Sequence, residues 1–307
     1  MKRDFQKIIW AADPLEDRFL TTQSLKVLRD LSQRTKASIE PVYVLSDGLL
    51  NLALPKSDLT REFKPASERA LARLVARGKI ATVGKPTVLV SAPSSRGSAA
   101  EALDRYARNQ NADVILVNSH GRSGLKRALL GSFAETLMLH SKTPVLIAGP
   151  NTRRLAKLDS ILFPTDFSKA SKRAFAKVQQ LARRLGASVT IMNVVVDPIE
   201  PFVQSGAALL AGGFVSTPGI VKEIYARNKK TGEQWAAEAR ANGIDARAVF
   251  DVDSSSVILS ILHYAGRKRF GMIAMASESG AVSAALLGSV GRGVAREAPC
   301  PVWFLRA

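Results

Sequence analysis

The chain has 307 residues, a formal net charge of +18 and 46% hydrophobic residues. This length predicts two domains of ordinary size, and the composition excludes an intrinsically disordered chain. No apolar run reaches the roughly eighteen residues of a membrane span, and no apolar stretch follows the charged start, so we expect no signal peptide. The single cysteine, Cys300, excludes an intramolecular disulfide and predicts a cytoplasmic protein.

The positive charge is consistent with a polyanionic partner such as a nucleic acid. However, most basic residues are scattered singly through helical patterns, and only 6% of the residues are aromatic. This distribution favours solvated helix faces over a base-stacking surface. Charge-driven association with nucleic acid therefore stays an alternative, not the main prediction.

The first half of the chain alternates strands with helices. Apolar residues at helical spacing from Leu20 to Leu31 predict the first helix. Residues 46–64 are expected to be irregular, either as a lid or as a surface loop. The predicted strands are residues 7–13, 38–45, 86–90, 113–117 and 145–148.

The second half repeats this pattern. Ser168 is a predicted N-cap and Gly186 a predicted C-terminal stop of its first helix. Residues 197–219 are expected to be irregular. The predicted strands are residues 161–164, 188–194, 247–250, 271–275 and 302–305.

The two halves are related by a nearly constant offset. Asp13 and Asp166, which follow the first strand of each half, lie 153 residues apart, and the later Gly131 and Gly288 lie 157 apart. This repeat predicts two homologous units, residues 1–150 and 158–307, joined by a polar linker at 150–157. Short apolar strands between helices predict an α/β fold, with each unit a doubly wound parallel sheet covered on both faces.

One spaced motif in the first unit carries chemistry. Asn118-Ser119-His120-Gly121 is followed after nine residues by Gly131-Ser132, where a helix is predicted to begin. A strand end followed by a helix start points backbone N–H groups at an anion.

The second unit has Met275-Ala276-Ser277-Glu278 and Gly288-Ser289 at the matching places. On this alignment Met275 and Glu278 replace the two early glycines of the pattern. A carboxylate there would repel a phosphate, so this unit is expected not to bind a triphosphate.

These motifs, with the strand ends Thr143-Pro144-Val145-Leu146 and Phe163-Pro164-Thr165-Asp166, resemble the universal stress protein family across the whole chain. The resemblance implies two tandem five-stranded parallel sheets of order 3-2-1-4-5. It also implies a stress-response regulator or sensor that binds ATP or a related adenine nucleotide in the first unit, with Mg²⁺ as an optional companion. Asn118 departs from the family's glycine: asparagine tolerates a left-handed backbone, but its side chain would crowd the phosphates.

By position, the resemblance implies three groups of ligand contacts. These groups would contact the adenine and ribose (Ala11, Ala12, Asp13, Val44), the ribose and phosphates (Val117, Asn118, His120, Gly121), and the phosphate at the helix start (Gly131, Ser132, Phe133).

Other chemistries lack support in the sequence. There is no P-loop, no G-x-S-x-G elbow and no paired histidine spacing for zinc, and Cys300 is interpreted as a buried thiol. We expect no dedicated enzyme, although His120 and Asp13 leave slow ATP hydrolysis open. A nucleotide-free scaffold that binds a protein or a lipid-like ligand is a further alternative.

The resemblance also bears on assembly. The fifth strand often mediates pairing in this family, so residues 145–147 and 302–304 are expected to pair within the chain as an intramolecular pseudo-dimer. A homodimer of whole chains stays open.

Overall fold

The computed structural model describes residues 5–16, 18–46, 55–80, 82–91, 97–119, 130–149, 151–152, 157–195, 217–252, 256–277 and 281–306. Within these ranges it describes only the main chain at residues 19, 217–221 and 281–288. None of the described helices is long and apolar enough to cross a membrane.

The first half alternates strands and helices as the sequence predicts. A π-helical turn, Leu59–Phe63, joins α2 to α3. The elements are β1 (Lys7–Ala11), α1 (Arg18–Thr35), β2 (Ser38–Ser46), α2 (Lys56–Asp58), α3 (Lys64–Gly78), β3 (Thr87–Ser91), α4 (Ser98–Asn109), β4 (Val114–Asn118), α5 (Ser132–His140) and β5 (Val145–Ala148).

The second half repeats the alternation. Its elements are β6 (Ser160–Pro164), α6 (Lys169–Leu185), β7 (Ser188–Val194), α7 (Thr217–Ala241), β8 (Ala246–Asp251), α8 (Val257–Lys268), β9 (Met272–Ser277), α9 (Ala281–Glu297) and β10 (Val302–Arg306).

The two predicted irregular segments are partly wrong. Residues 56–63 are helical, and α7 begins at Thr217, inside the second segment. Pro55 immediately precedes α2, and a proline occupies the first turn of α3. Proline is compatible with a helix start because no N–H is needed there, so these prolines do not interrupt the helical run. Residues 47–54 of the first segment and 197–216 of the second lie outside the described residues.

All described strands belong to one ten-stranded sheet of order β3-β2-β1-β4-β5-β10-β9-β6-β7-β8. Within each half the order is 3-2-1-4-5 and every pairing is parallel. This confirms the predicted α/β architecture. The additional finding is that the two sheets are continuous with each other.

Among the described strands, one antiparallel pairing, between β5 and β10, joins the halves. Leu146 faces Trp303, flanked by Ile147 with Val302 and Val145 with Phe304. The expected intramolecular pseudo-dimer is therefore confirmed, with the predicted residues in contact. As a consequence β10 is a central strand of the sheet, between β5 and β9.

The core lies on both faces of this sheet. One face packs against α1, α3, α6 and α7, and the other against α4, α5, α8 and α9. Each apolar cluster contains residues of both halves: Trp10 and Trp303 share one face, whereas Ile147 and Phe304 share the other. Burial of the joining strands on both faces makes each half part of the other's core.

Arg306, at the end of β10, adds a polar link between the halves. Its guanidinium donates to Ser277 Oγ and to the carbonyls of Leu137 and Met138, at 2.8 and 2.7 Å, in the last turn of α5. Burial lowers the pKa of Arg306 to about 10. A cation at a helix C-terminus compensates the carbonyls that have no intrahelical donor.

Local sequence signals set the ends of α6. The Ser168 hydroxyl accepts from Ser171 N at 3.1 Å, and Gly186 ends the helix with φ of +58°. Both predictions are confirmed. In the first half the matching left-handed position after α1 is Lys36, with φ of +59°, a conformation that costs a non-glycine residue about 1 kcal/mol.

Truncation of Phe304 tests the shared core. Phe304 is fully buried, so Phe304→Ala should lower the free energy of unfolding by about 3–5 kcal/mol. Urea titration followed by tryptophan fluorescence and by far-UV circular dichroism should show one coincident transition, because the lost contacts belong to both halves.

The matched control is Leu259→Ala, at a side chain that is 50% exposed; it should cost less than about 1 kcal/mol. Two separated transitions, only one of them shifted by Phe304→Ala, would show that the halves have independent cores.

Candidate functional site

The carboxyl ends of β1 and β4 mark the place where a ligand is expected in an open α/β sheet. The strands are neighbours, yet the chain leaves β1 for α1 on one face and β4 for α5 on the other. This is the topological switch point of the first unit. Asp13 follows β1 closely, and Asn118 is the last residue of β4.

The apolar residues that the sequence predicts as ligand contacts lie on both faces of the sheet. Val44 and Val117 are buried on the α4–α5 face, and the half-buried Ala11 packs against the same cluster. Ala12 lies on the α1 face, and its N–H donates to the carbonyl of Val42 at 2.9 Å. The structure thus brings Ala11, Val44 and Val117 together and separates Ala12 from them.

Asn118 is held on the α1 side of the sheet. Its Oδ1 accepts from the hydroxyl of Ser24 on α1, and its Nδ2 donates to the Glu16 carboxylate in the loop after β1. Its backbone belongs to the strand and has no positive φ. The left-handed conformation considered for this residue is therefore wrong, and its side chain does not point toward α5.

The start of α5 lies against the end of β4. Ser119 N donates to the Ala148 carbonyl at 3.0 Å, and the Ser119 carbonyl accepts from Gly131 N at 2.6 Å. The helix begins at Ser132, which confirms the predicted start. Because Gly131 occupies the N-cap position without a side chain, the N–H groups of the first turn have neither an intrahelical acceptor nor a side-chain cap.

The surroundings of this helix start are partly apolar and partly charged. Ser132 is exposed and Phe133 half-buried. Glu135, in the first turn, forms an ion pair of 2.6 Å with Arg292 of α9. A basic residue of the second unit therefore offsets the carboxylate closest in sequence to this helix start.

His120 and Gly121, two predicted phosphate contacts, lie outside the described residues. So does Glu278 of the second unit. The sequence did not predict that Glu16 and Ser24 belong to this site. They are far from Asn118 in the sequence, and the fold brings them within hydrogen-bonding distance of it.

The second unit lacks the equivalent helix start. Helix α9 begins at Ala281 and continues without a break through Gly288 and Ser289. The N–H groups at these two positions lie inside the helix, where intrahelical carbonyls accept them. An anion thus finds no exposed amides at the place that corresponds to Ser132.

Strand pairing corrects the alignment of the two motifs. Asn118 pairs with Ala148, and the corresponding Leu305 pairs with Ala276. The counterpart of Asn118 is therefore Ala276, not Met275, and Glu278 follows at the position of His120. The expectation that Glu278 replaces a glycine was wrong, and the loss of the helix start becomes the stronger difference between the units.

The two aspartates after the first strands enter turns. Asp13 Oδ1 accepts from Leu15 N at 2.9 Å. Asp166 Oδ1 accepts from Ser168 N at 2.9 Å and from the Ser171 hydroxyl at 2.6 Å. Burial alone would raise the pKa of Asp166, but these hydrogen bonds lower it below the ordinary aspartate value.

Comparison with known sequences settles the class of the protein. The profile of the Universal stress protein family matches residues 5–149 and again residues 157–306. The chain belongs to the universal stress protein family, as a tandem member with two copies of the family domain.

A relative and two solved structures illustrate the similarity. A 47-residue stretch is 38% identical to Universal stress protein MJ0577 of Methanocaldococcus jannaschii; it makes up 15% of this chain and 29% of that relative. A universal stress protein of Archaeoglobus fulgidus DSM 4304 superposes with a TM-score of 0.59 at 21% identity, covering 99% of this chain and 97% of its own. A Pseudomonas aeruginosa PAO1 protein of unknown function gives 0.58 at 14% identity, covering 98% and 92%. At these identities the two structures establish the fold alone.

Cys300 is a buried thiol, as predicted. Burial raises its pKa to about 12, so the thiolate that a nucleophile requires is not formed at neutral pH. Among the described residues, no three His, Cys, Asp or Glu side chains are grouped as metal ligands.

The turn at Asp166 predicts a pH effect. Because its folded pKa is lowered, its contribution to stability is present above the unfolded value near 4 and is lost as pH falls through the folded pKa. Asp166→Asn should therefore be less stable than wild type at pH 7, and the difference should shrink below about pH 4.

Urea titrations at pH 7, 5 and 3.5 measure this difference. Glu233→Gln, at an exposed position of α7, is the charge control and should stay within about 0.5 kcal/mol of wild type. A difference for Asp166→Asn that does not change with pH would contradict the assignment.

Proposed function

We propose that this protein is a stress-response regulator or sensor that binds ATP or a related adenine nucleotide in its first unit only. The observation that carries the proposal is the helix start at Ser132, next to the end of β4 at the switch point. In the second unit a continuous helix occupies the corresponding place. Membership of the universal stress protein family supports a nucleotide as the ligand. The helix start, present at Ser132 but not at Ser289, supports binding in the first unit only.

The proposed contacts follow the two faces of the crevice. The apolar surface of Ala11, Val44 and Val117 suits the flat adenine ring, and the Asp13 carboxylate suits ribose hydroxyls. The phosphates would lie at the helix start formed by Gly131, Ser132 and Phe133. The amides of Ser132 and Phe133 would face them, because the Gly131 N–H already donates to the Ser119 carbonyl. The remaining proposed contacts are Ala12, Asn118, His120 and Gly121.

Electrostatics supports an anionic ligand at α5. A negative charge at a helix N-terminus is stabilised by about 0.3–1 kcal/mol near the surface. The sequence places Arg122, Lys126 and Arg127 between the two halves of the motif. Glu16, hydrogen-bonded to Asn118, opposes them on the α1 side, which favours a Mg²⁺-neutralised nucleotide.

Binding rather than turnover is proposed for this site. The Asp13 carboxylate accepts a hydrogen bond from its own turn, as expected of a positioning group more than of a general base. Slow hydrolysis assisted by His120 or Asp13 is compatible with the proposal. We further propose that the protein acts in the cytoplasm.

Calorimetric titration with Mg-ATP tests this function with a matched pair of variants. Ser132 and Ser289 correspond in the repeat and are both exposed, but only Ser132 begins a helix. A new carboxylate about 4 Å from a phosphate costs about 4 kcal/mol at an effective dielectric of 20. Ser132→Glu should therefore weaken binding about a thousandfold, whereas Ser289→Glu should leave it within about threefold.

Glutamate in the first turn of a helix is favourable for the helix, so loss of binding in Ser132→Glu would not reflect unfolding. Equal effects of the two substitutions would place the nucleotide elsewhere. Absence of ATP binding by wild type would favour the nucleotide-free scaffold instead.

A further inference from the structure

A second crevice lies between the two units, away from the proposed nucleotide site. It has a volume of about 540 Å³, within the range of small-molecule pockets. It opens where β1, β4 and β5 begin, and helix α6 of the second unit forms its other wall. Its defining residues are Phe5, Asp113, Lys177, Arg183, Arg184 and Trp303.

The walls carry an excess of positive charge. Lys177, Arg183 and Arg184 all come from α6, whereas Asp113 is the acidic lining residue. The Asp113 Oδ2 atom already accepts from the N–H groups of Gln6 and Lys7, at 2.6 and 2.8 Å. It is thus engaged in holding the start of β1, and the crevice stays basic.

The surroundings of Lys177 show the excess of positive charge in the crevice. Its ammonium group donates to the carbonyl of Arg306. Its pKa is lowered by burial and then by the nearby charges of Arg173 and Arg306. The charged neighbours that act on Lys177 are therefore cations, a setting that an anionic ligand would relieve.

The floor of the crevice is aromatic. The rings of Phe5 and Trp303 meet edge to face, with centroids 6.5 Å apart and planes at 86°. Trp303 is 4% exposed, and its Nε1 has no hydrogen-bond partner among the described residues. A buried donor without an acceptor is uncommon in folded proteins.

The repeat supplies an internal comparison. Backbone bonds place Asp113 beside Lys7 and Gly271 beside Ser160 in the same way, and the β5–β10 pairing sets Leu146 opposite Trp303. The counterparts of Asp113 and Trp303 are therefore Gly271 and Leu146.

At that counterpart position the space is filled. Leu158 is fully buried there, and its N–H donates to Asp30 Oδ2 of α1 at 2.7 Å. A Cβ atom on Gly271 would lie only 2.3 Å from the carbonyl of Lys157. Among the described residues, the counterpart of Asp113 therefore carries no carboxylate and has no room for a side chain.

We propose that this inter-unit crevice binds a small organic anion, a carboxylate or phosphate that carries a ring. The ring lies against Phe5 and Trp303, and the anionic group lies at Lys177 and Arg183. Both units contribute, so the ligand stabilises their junction. The proposal is independent of the nucleotide site.

Calorimetry with the full chain tests the proposal, with phenyl phosphate as the probe. Inorganic phosphate tests the charge alone and phenol the ring alone; each should bind at least about tenfold more weakly than phenyl phosphate. Phenyl phosphate should also change the fluorescence of wild type but not of Trp303→Phe, because Trp10 and Trp235 do not line the crevice.

The paired variants locate the anion. Lys177→Met combined with Arg183→Gln should weaken phenyl phosphate binding about tenfold or more. Lys169→Met, on the same helix but outside the lining, should change it less than about twofold. Circular dichroism of each variant checks that it is folded.

Three results would overturn the proposal. The first is undetectable binding of phenyl phosphate at about 10 millimolar, which corresponds to a very weak affinity. The second is an equal loss of binding in Lys169→Met and in the double variant, and the third is a loss of phenyl phosphate binding caused by Ser132→Glu. The last would assign the anion to the first-unit site and leave the nucleotide proposal intact.

Discussion

The antiparallel pairing of β5 with β10 is the constraint on which the rest of the molecule depends. Each unit alone would expose its fifth strand as an edge, a surface that proteins normally cover or pair. Here each fifth strand covers the other, and side chains from both complete two apolar layers. Because the strands of the two units run in opposite directions, the carboxyl ends of the first unit and those of the second lie at opposite ends of one sheet.

This arrangement allows the two copies to differ. The first unit keeps a helix start at Ser132, whereas the second extends its helix through Ser289. At the end of β10, Arg306 reaches the last turn of α5, but its counterpart at the end of β5 is Gly149. The first copy therefore presents the helix start on which the proposed site rests, and the second contributes contacts that hold this helix in place. The inter-unit crevice shows the same division, since its basic wall comes from the second unit.

Much of this architecture was predictable from the sequence, because it depends on local periodicity and on the repeat. The strand positions, the caps at Ser168 and Gly186, and the start of α5 all have short-range signals. The partners of Asn118 do not, since Ser24 lies 94 residues away. The alignment of the two motifs on β4 and β9 is shifted by one residue, and only the strand pairing reveals this shift. The alanine-rich run before Gly288 favours a helix, a signal that the glycine-serine motif obscured. The inter-unit crevice joins Phe5 to α6 and has no sequence signature.

Native-state hydrogen exchange measures the central claim most directly. If β5 and β10 form the middle of one sheet, the hydrogen-bonded amides of residues 145–147 and 302–304 exchange only through global unfolding, with the same free energy as those of β1 and β4. Fast exchange of these amides, at rates typical of the outer strands β3 and β8, would contradict a continuous sheet and the account built on it.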